Sequence, residues 1–197
     1  MTPVVTRRRP AVIDEAVRAA VRRLLAERGY QAMTIEQVAV DADVAKTAIY
    51  RRWPSKAEMV FAEAVHGTSI SAPADTGTLA ADLRTLVAHV LDLLNHATVR
   101  GALPGLVADL RADAELGRRF TASLIEPERE VVATIVRRAV DRGEVRPGVD
   151  TDDLHAQLLG TVFAWVYLID GAPPDNLAER ITRALLAVLH AESEDLS

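Results

Sequence analysis

The chain contains no cysteine, which excludes disulfide bridges and thiolate chemistry. It has no apolar run of about eighteen residues or more, and its N-terminus lacks the continuous apolar segment of a secretory signal. We therefore expect a cytoplasmic protein without a membrane partner. Aromatic residues make up only 4% of the 197 residues, but 49% are hydrophobic, so the chain can bury a core of mainly aliphatic side chains.

Sequence motifs of common enzymes are absent as well. The chain contains no HExxH, GxSxG, P-loop or GxGxxG sequence, and the acidic pair Asp152 and Asp153 suits the start of a helix, where negative charge is favourable. His89 and His96 share a helix face but have no carboxylate cluster at metal-ligand spacing. We therefore predict no catalytic site, no metal and no cofactor.

The spacing of the apolar residues predicts an all-α fold. No stretch alternates apolar and polar residues with a period of two, so a sheet is not expected. Gly29 is the predicted end of the first helix, which begins at Pro10, and Pro127 is a predicted break in a long helix. The other helices are predicted over residues 34–41, 45–53, 55–65, 79–96, 103–112, 115–142, 151–170 and 175–192.

The net charge of −5 hides an asymmetry along the chain. Residues 1–60 carry a net charge of +4, and the remaining residues carry a net charge of −9. Both lysines of the chain, two arginines, a tyrosine and a tryptophan lie in the segment VAKTAIYRRWPSK, residues 44–56. A basic segment joined to an acidic one is typical of a nucleic-acid-binding part attached to a second unit.

The same segment fits the second half of a helix-turn-helix. Residues 34–37 have the form of a capping box, residues 41–44 suit a short turn, and the following helix can bury Ile49 and Trp53. In this arrangement the second helix lies in the major groove of DNA. The residues that this orientation places on the outer side or at the N-terminal end of the helix are Lys46, Thr47, Ala48, Tyr50 and Arg51.

Further candidate contacts to DNA flank this helix. Thr34 and Lys56 lie at the starts of two other helices, where free N–H groups favour phosphate. Arg7 to Arg9 form either an arm in the minor groove or a solvated basic tail.

At this point the chain resembles the TetR family of bacterial transcriptional regulators. The resemblance rests on residues 34–39, on Val44 and Lys46, and above all on IYRRWPSK, residues 49–56. Asp43 and Ala45 depart from the turn glycine and the capping serine that are usual in the family. These departures affect the operator sequence that is read, whereas Asp tolerates a left-handed turn, so the fold is expected to persist.

The resemblance implies a domain organisation and a set of contacts. An N-terminal helix-turn-helix domain of three helices, residues 8–66, is expected to bind DNA, and a larger helical domain, residues 67–197, to bind a ligand and dimerise. A homodimer would read a palindromic double-stranded operator. By resemblance, the base-proximal residues are Lys46, Thr47, Ala48 and Arg52, and the phosphate contacts are Thr34, Tyr50, Arg51 and Lys56.

The larger, acidic part has features of its own that fit this plan. The stretch from Leu158 to Ile169 is apolar on all sides, and the last helix carries a leucine-rich stripe. Two such helices from each subunit would form a four-helix interface, the alternative being a monomer that buries both. The residues that either line a cavity for a small apolar or aromatic effector or belong to the core are Leu93, Leu106, Leu110, Phe120, Leu124, Phe163, Trp165 and Tyr167.

The sequence therefore predicts a DNA-binding transcriptional regulator, in the form of a repressor that a small-molecule ligand releases from its operator. The alternative is a helical protein-protein interaction module that does not bind DNA. Replacing Lys46 and Tyr50 by alanine separates the two hypotheses, because only the regulator would lose affinity for DNA.

Overall fold

The computed structural model describes residues 10–65, 71–170 and 172–194, and every regular element within these ranges is helical. This confirms the predicted all-α class. None of the helices in these ranges is both long and apolar enough to cross a bilayer. The helices are α1 (Pro10–Ala32), α2 (Ile35–Asp41), α3 (Lys46–Tyr50), α4 (Lys56–Val65), α5 (Leu79–Asn95), α6 (Ala97–Ala112), α7 (Ala114–Phe120), a π-helical turn (Thr121–Ile125), α8 (Glu126–Asp141), α9 (Thr151–Tyr167) and α10 (Leu177–Glu194).

The largest difference from the predicted boundaries is at α6, which begins at Ala97 and carries Pro104 in its interior. The predicted start at residue 103 would place Pro104 in the first helical turn, where proline is common. Helix α6 packs along α1, and this packing outweighs the one hydrogen bond that Pro104 cannot donate.

The predicted break at Pro127 takes the form of the π-helical turn. The Glu126 N–H donates to the Thr121 carbonyl oxygen, five residues back, and Pro127 stands in the first turn of α8. In a regular α-helix the proline ring clashes with the carbonyl four residues before it, and the wider π turn relieves that clash. The distortion therefore lies just before the proline.

By packing, the first compact unit consists of α1 to α4 with α6 and the first turn of α7, and the second consists of α5 and α8 to α10 with the π turn. Helix α6 thus packs with the N-terminal helices, although the predicted domain boundary near residue 66 assigns it to the larger domain. The boundaries 8–66 and 67–197 concern functional domains and stay a prediction.

In the first unit, α6 approaches α1 closely at two glycines. A Cβ atom on Gly101 would stand 2.1 Å from the Leu25 carbonyl oxygen, and one on Gly105 would stand 2.4 Å from the Tyr30 ring. The Tyr30 hydroxyl donates to the carboxylate of Asp109 on α6, and burial together with this hydrogen bond raises the pKa of Tyr30. These contacts hold α6 firmly to the end of α1.

The second unit has an aliphatic core and, at the start of α5, a buried polar network. The Asp82 carboxylate has no exposed surface and accepts hydrogen bonds from the Thr76 N–H at 2.9 Å and from the Thr76 hydroxyl at 2.6 Å. Arg142 reaches the same carboxylate at 3.4 Å, and Glu144 accepts the Leu79 N–H at 2.8 Å. Burial opposes the ionised form of Asp82, but the Thr76 hydrogen bonds and the Arg142 charge outweigh it and lower its pKa. The network joins the start of α5 to the end of α8.

Candidate nucleic-acid interface

A reciprocal capping box begins α2. The Thr34 hydroxyl accepts a hydrogen bond from the Gln37 N–H at 3.2 Å, and the Gln37 side-chain oxygen accepts one from the Thr34 N–H at 3.0 Å. The predicted capping box is therefore confirmed. Ile35 and Val38 are buried beneath it, while Thr34 stays exposed at the start of the helix.

The turn between α2 and α3 depends on Asp43, whose φ of 52° lies in the left-handed region. Asp adopts this conformation more readily than most residues other than glycine, which agrees with the expectation that Asp43 preserves the turn. The Val44 N–H donates to the Ala39 carbonyl oxygen at 3.0 Å across the turn. Ala45 precedes α3 without a side-chain cap, and the missing hydroxyl costs about 1 kcal/mol.

Two buried residues decide which side of α3 faces outward. Ile49 is completely buried, and Trp53, which follows the helix, is 9% exposed. The Trp53 N–H donates to the Ile49 carbonyl oxygen at 2.9 Å, so the chain keeps a helical turn up to Trp53. Because side chains four residues apart in such a turn lie on one face, these two anchors turn the remaining side chains away from the core. The predicted contact residues brought onto one surface are Lys46, Thr47, Tyr50 and Arg51, all exposed, and Ala48, which is half-buried.

Lys46 is the first residue of α3 and forms an ion pair with Glu36, in the first turn of α2. Their hydrogen bond raises the pKa of Lys46 and lowers the pKa of Glu36. The Lys46 ammonium also lies 5.5 Å from the centroid of the Tyr50 ring, within cation-π range. From sequence, Glu36 is visible only as part of the capping motif, because a turn separates it from Lys46 and no helical period links them.

Arg52 is not part of the exposed surface. Its Nε pairs with Asp14 on α1, its Nη1 donates to the Ala48 carbonyl oxygen at 3.2 Å, and its side chain is 17% exposed. The resemblance implies a base-proximal Arg52, whereas in this structure its side chain lies between α3 and α1. The sequence does not reveal Asp14 as the partner of Arg52, because Asp14 lies on another helix, far away along the chain.

Lys56, at the start of α4, is half-buried against α1. Its Nζ donates to the Tyr30 carbonyl oxygen at 3.0 Å and lies 4.1 Å from the centroid of the Tyr30 ring. A phosphate contact by Lys56 would therefore start from an anchored side chain. The predicted arm, Arg7 to Arg9, lies outside the described residues.

The predicted effector-pocket residues are divided between the two units. Leu106, which is buried, and Leu110 lie on α6 in the first unit. In the second unit, the rings of Phe163 and Tyr167 lie 4.7 Å apart, and the Tyr167 hydroxyl donates to a carbonyl at the end of α5 at 3.2 Å. Trp165 lies about 200° around α9 from Phe163, beneath a guanidinium of α10.

The other three predicted pocket residues also belong to the second unit. Leu93 is exposed, whereas Phe120 and Leu124 are half-buried before and within the π turn. The structure therefore brings Phe163 and Tyr167 into ring contact and separates Trp165 from them.

Two family models match the chain. The model described as bacterial regulatory proteins, tetR family, matches residues 17–62, which include α2, α3 and the turn between them. The model described as tetracyclin repressor-like, C-terminal domain, matches residues 73–185. The two matches together cover both units.

Comparisons with individual proteins lead to the same family. An uncharacterized HTH-type transcriptional regulator of Mycobacterium tuberculosis is 33% identical over 155 residues, which are 77% of this chain and 74% of the relative. The DNA-binding transcriptional repressor TetR of Mycobacteroides abscessus is 31% identical over 142 residues, 71% of this chain and 74% of that protein. The crystal structure of the TetR family transcription regulator SCO0332 has a TM-score of 0.64 and 29% identity, covering 89% of this chain and 97% of that one. Since both parts of the chain match one family, and relatives above 30% identity extend over more than two thirds of it, the chain belongs to the TetR family of DNA-binding transcriptional regulators.

Proposed function

We propose that the protein is a homodimeric repressor, which a small apolar or aromatic effector releases from a palindromic operator. The surface of α3 is the observation that carries this proposal, because Lys46 and Arg51 expose cations there and Thr47 and Tyr50 expose hydroxyl groups. In a helix-turn-helix this side enters the major groove, where such groups donate to base edges and phosphates.

The exposed and buried side chains suggest separate roles in this contact. In this proposal Arg52 acts through position: its pairing with Asp14 holds the end of α3 against α1, and we assign it no base contact. Ala48 offers a small apolar surface suited to a thymine methyl group. The proposed base-proximal residues are Lys46, Thr47 and Ala48, and the proposed phosphate contacts are Thr34, Tyr50, Arg51 and Lys56.

The partner subunit in this proposal packs on α9 and α10. Leu168 and Ile169 leave the end of α9 with exposed apolar surface, and the half-buried Trp165 lies 5.6 Å from the guanidinium of Arg180 on α10. An interface made from the same helices of two copies has two-fold symmetry. That symmetry places two recognition helices on a palindromic site.

The effector acts by binding better to the dimer state that does not fit the operator. Helix α6 offers a route, because it carries the proposed pocket residues Leu106 and Leu110 and is fixed to α1 through Tyr30 and Asp109. A ligand that shifts α6 therefore shifts α1 as well. The proposal requires no catalytic step, and the protein acts in the cytoplasm, where bacterial DNA lies.

Retention of genomic DNA fragments tests the first part of the proposal. The purified protein is mixed with fragmented DNA of its source at near-physiological salt, because low salt exaggerates non-specific phosphate binding. We expect the retained fragments to share a short palindrome, and we expect Lys46→Ala with Tyr50→Ala to abolish the enrichment. Retention without a common sequence would refute an operator-specific repressor.

The genes beside the palindrome define candidate effectors for the second part. Apolar substrates and products of the encoded enzymes are added to the complex of protein and operator. A cognate effector should weaken operator binding at least tenfold, about 1.4 kcal/mol of coupling. Unchanged operator affinity with every candidate would count against release by a ligand.

A further inference from the structure

Glu36 and Lys46 bring opposite charges together in the middle of the proposed DNA-binding surface. The two side chains are 58% and 45% exposed, and they join the first turn of α2 to the first residue of α3. Glu36 is not one of the two residues that form the capping box of α2, which are Thr34 and Gln37. A carboxylate at this place faces the approaching phosphates with a like charge.

The pair responds differently to two kinds of DNA complex. Non-specific binding depends on the attraction of cations for phosphates across a hydrated gap, and a lysine that stays paired with a carboxylate contributes almost nothing to it. In a specific complex, guanine O6 and N7 offer Lys46 acceptors at hydrogen-bond distance, which can replace the Glu36 oxygen directly. The exposed pair can make this exchange because water already screens its mutual attraction.

We propose that Glu36 is a specificity-determining residue of the DNA-binding surface: by neutralising Lys46 in the DNA-free protein, it lowers the affinity for non-cognate DNA more than the affinity for the operator. The inference rests on the proposed function. In this inference the Glu36 carboxylate discriminates against non-cognate DNA, whereas the cations of the same surface attract DNA of any sequence.

The substitution Glu36→Gln tests this role and keeps both capping-box residues, Thr34 and Gln37. Binding to a labelled random-sequence duplex and to the recovered operator is measured by fluorescence anisotropy over a series of salt concentrations. We expect the variant to bind the random duplex about fivefold more tightly, with a salt slope steeper by about 0.9, the value for one additional phosphate contact. Operator affinity should change less than about twofold, so the ratio between the two affinities falls.

A matched control separates this effect from a change in net charge. Glu130 on α8 pairs with Arg137 at 3.2 Å, and both side chains are exposed, so Glu130→Gln makes the same charge change and breaks a similar pair in the second unit. We expect this control to leave the ratio of affinities unchanged. In the Lys46→Ala background, Glu36→Gln should have no larger effect than the control, because its partner is missing.

The possible outcomes distinguish this inference from the proposed function. If the wild-type protein binds its operator but Glu36→Gln strengthens both duplexes by the same factor, or matches Glu130→Gln, the inference is overturned and the repressor proposal stands. If the wild-type protein binds neither duplex, both are overturned. A loss of operator affinity in Glu36→Gln would also overturn the inference, since it would make Glu36 a positive contact.

Discussion

Two charged clusters, one in each unit of the molecule, hold their side chains in different ways. Around α3, the pair of Glu36 and Lys46 is exposed to solvent on both sides. At the start of α5, Asp82 is fully buried and is bonded to Thr76 and Arg142. An exposed pair can exchange partners at little cost, whereas a buried carboxylate that loses its partners leaves other polar groups unsatisfied. The first arrangement suits recognition of a ligand as highly charged as DNA, and the second suits a permanent connection between helices.

Removing the buried carboxylate should have the largest effect on stability. We expect Asp82→Ala to lower the free energy of unfolding by about 3 kcal/mol, because the N–H and hydroxyl of Thr76 and the Arg142 guanidinium all lose their acceptor. Chemical denaturation of the two proteins measures the difference. The exposed Asp92 on the same helix is the control, and Asp92→Ala should change stability by less than about 0.5 kcal/mol. Equal stability of the two variants would show that the buried carboxylate stabilises the fold no more than an exposed one.

Removing the exposed cation should change function and leave stability nearly constant. We expect Lys46→Ala to weaken operator binding by about 2 kcal/mol, roughly thirtyfold, because the lysine lies at the end of α3 that reaches base edges. Its unfolding free energy should stay within about 0.5 kcal/mol of the wild type, since the pair with Glu36 is exposed. Titration of the operator and a denaturant melt give the two numbers. A variant that unfolds more easily by more than about 1 kcal/mol would show that the exposed pair is structural after all.

The Arg52 side chain is less exposed than Lys46 and more exposed than Asp82, so its substitution should have an intermediate effect on stability. Because its side chain joins α3 to Asp14, we expect Arg52→Ala and Asp14→Asn each to reduce the unfolding free energy by about 1 kcal/mol. The double variant should lose less than the sum of the single losses, as expected for residues in direct contact. A double-mutant cycle of denaturant melts measures this coupling. Strictly additive losses would show that Arg52 and Asp14 do not stabilise the fold as a pair. If Arg52→Ala also weakened binding only to operators of particular sequence, a base contact by Arg52 would be supported.

The acid side of the pH profile gives the smallest expected effect. The pKa values of Asp82 and Glu144 both lie below their ordinary values; for each, burial opposes ionisation but hydrogen bonds and the Arg142 charge outweigh it. Carboxyls of this kind stabilise the fold above the unfolded-state pKa of about 4, and the stability is lost as the pH falls through the lower folded-state value. Thermal melts at a series of pH values should therefore show a decline below about pH 4 that is shallower in Asp82→Asn. An identical decline in Asp82→Asn would show that protonation of other groups causes the loss of stability at low pH.

Features that depend on neighbours in sequence were predictable here. The capping box of Thr34 and Gln37 and the left-handed Asp43 follow from side-chain chemistry within a few residues. The burial of Ile49 and Trp53 follows from helical spacing. The start of α6 at Ala97 was not predictable in the same way, because the contact with α1 that supports it is made by residues distant in sequence.

The residues of the candidate site also divide into those whose placement follows from nearby sequence and those whose placement depends on distant residues. Periodicity places Lys46, Thr47 and Tyr50 on one exposed side, and the structure agrees. It cannot reveal that Arg52 has Asp14 for a partner. The two aromatic positions Phe163 and Trp165 also illustrate the limit: composition groups them as apolar, whereas packing gives them different neighbours.

Local chemistry along the chain was sufficient to establish an all-α fold, a helix-turn-helix near the N-terminus and the identity of its outward side chains. Those properties arise from hydrogen bonds and burial patterns that repeat over two to four residues. Three-dimensional packing settled which cations have a carboxylate partner, as Lys46 has Glu36 and Arg52 has Asp14. Packing also joined α6 to α1 at Gly101 and Gly105. The physical reason is that the charge partner or close neighbour of a side chain depends on distance in space, which separation along the chain does not give.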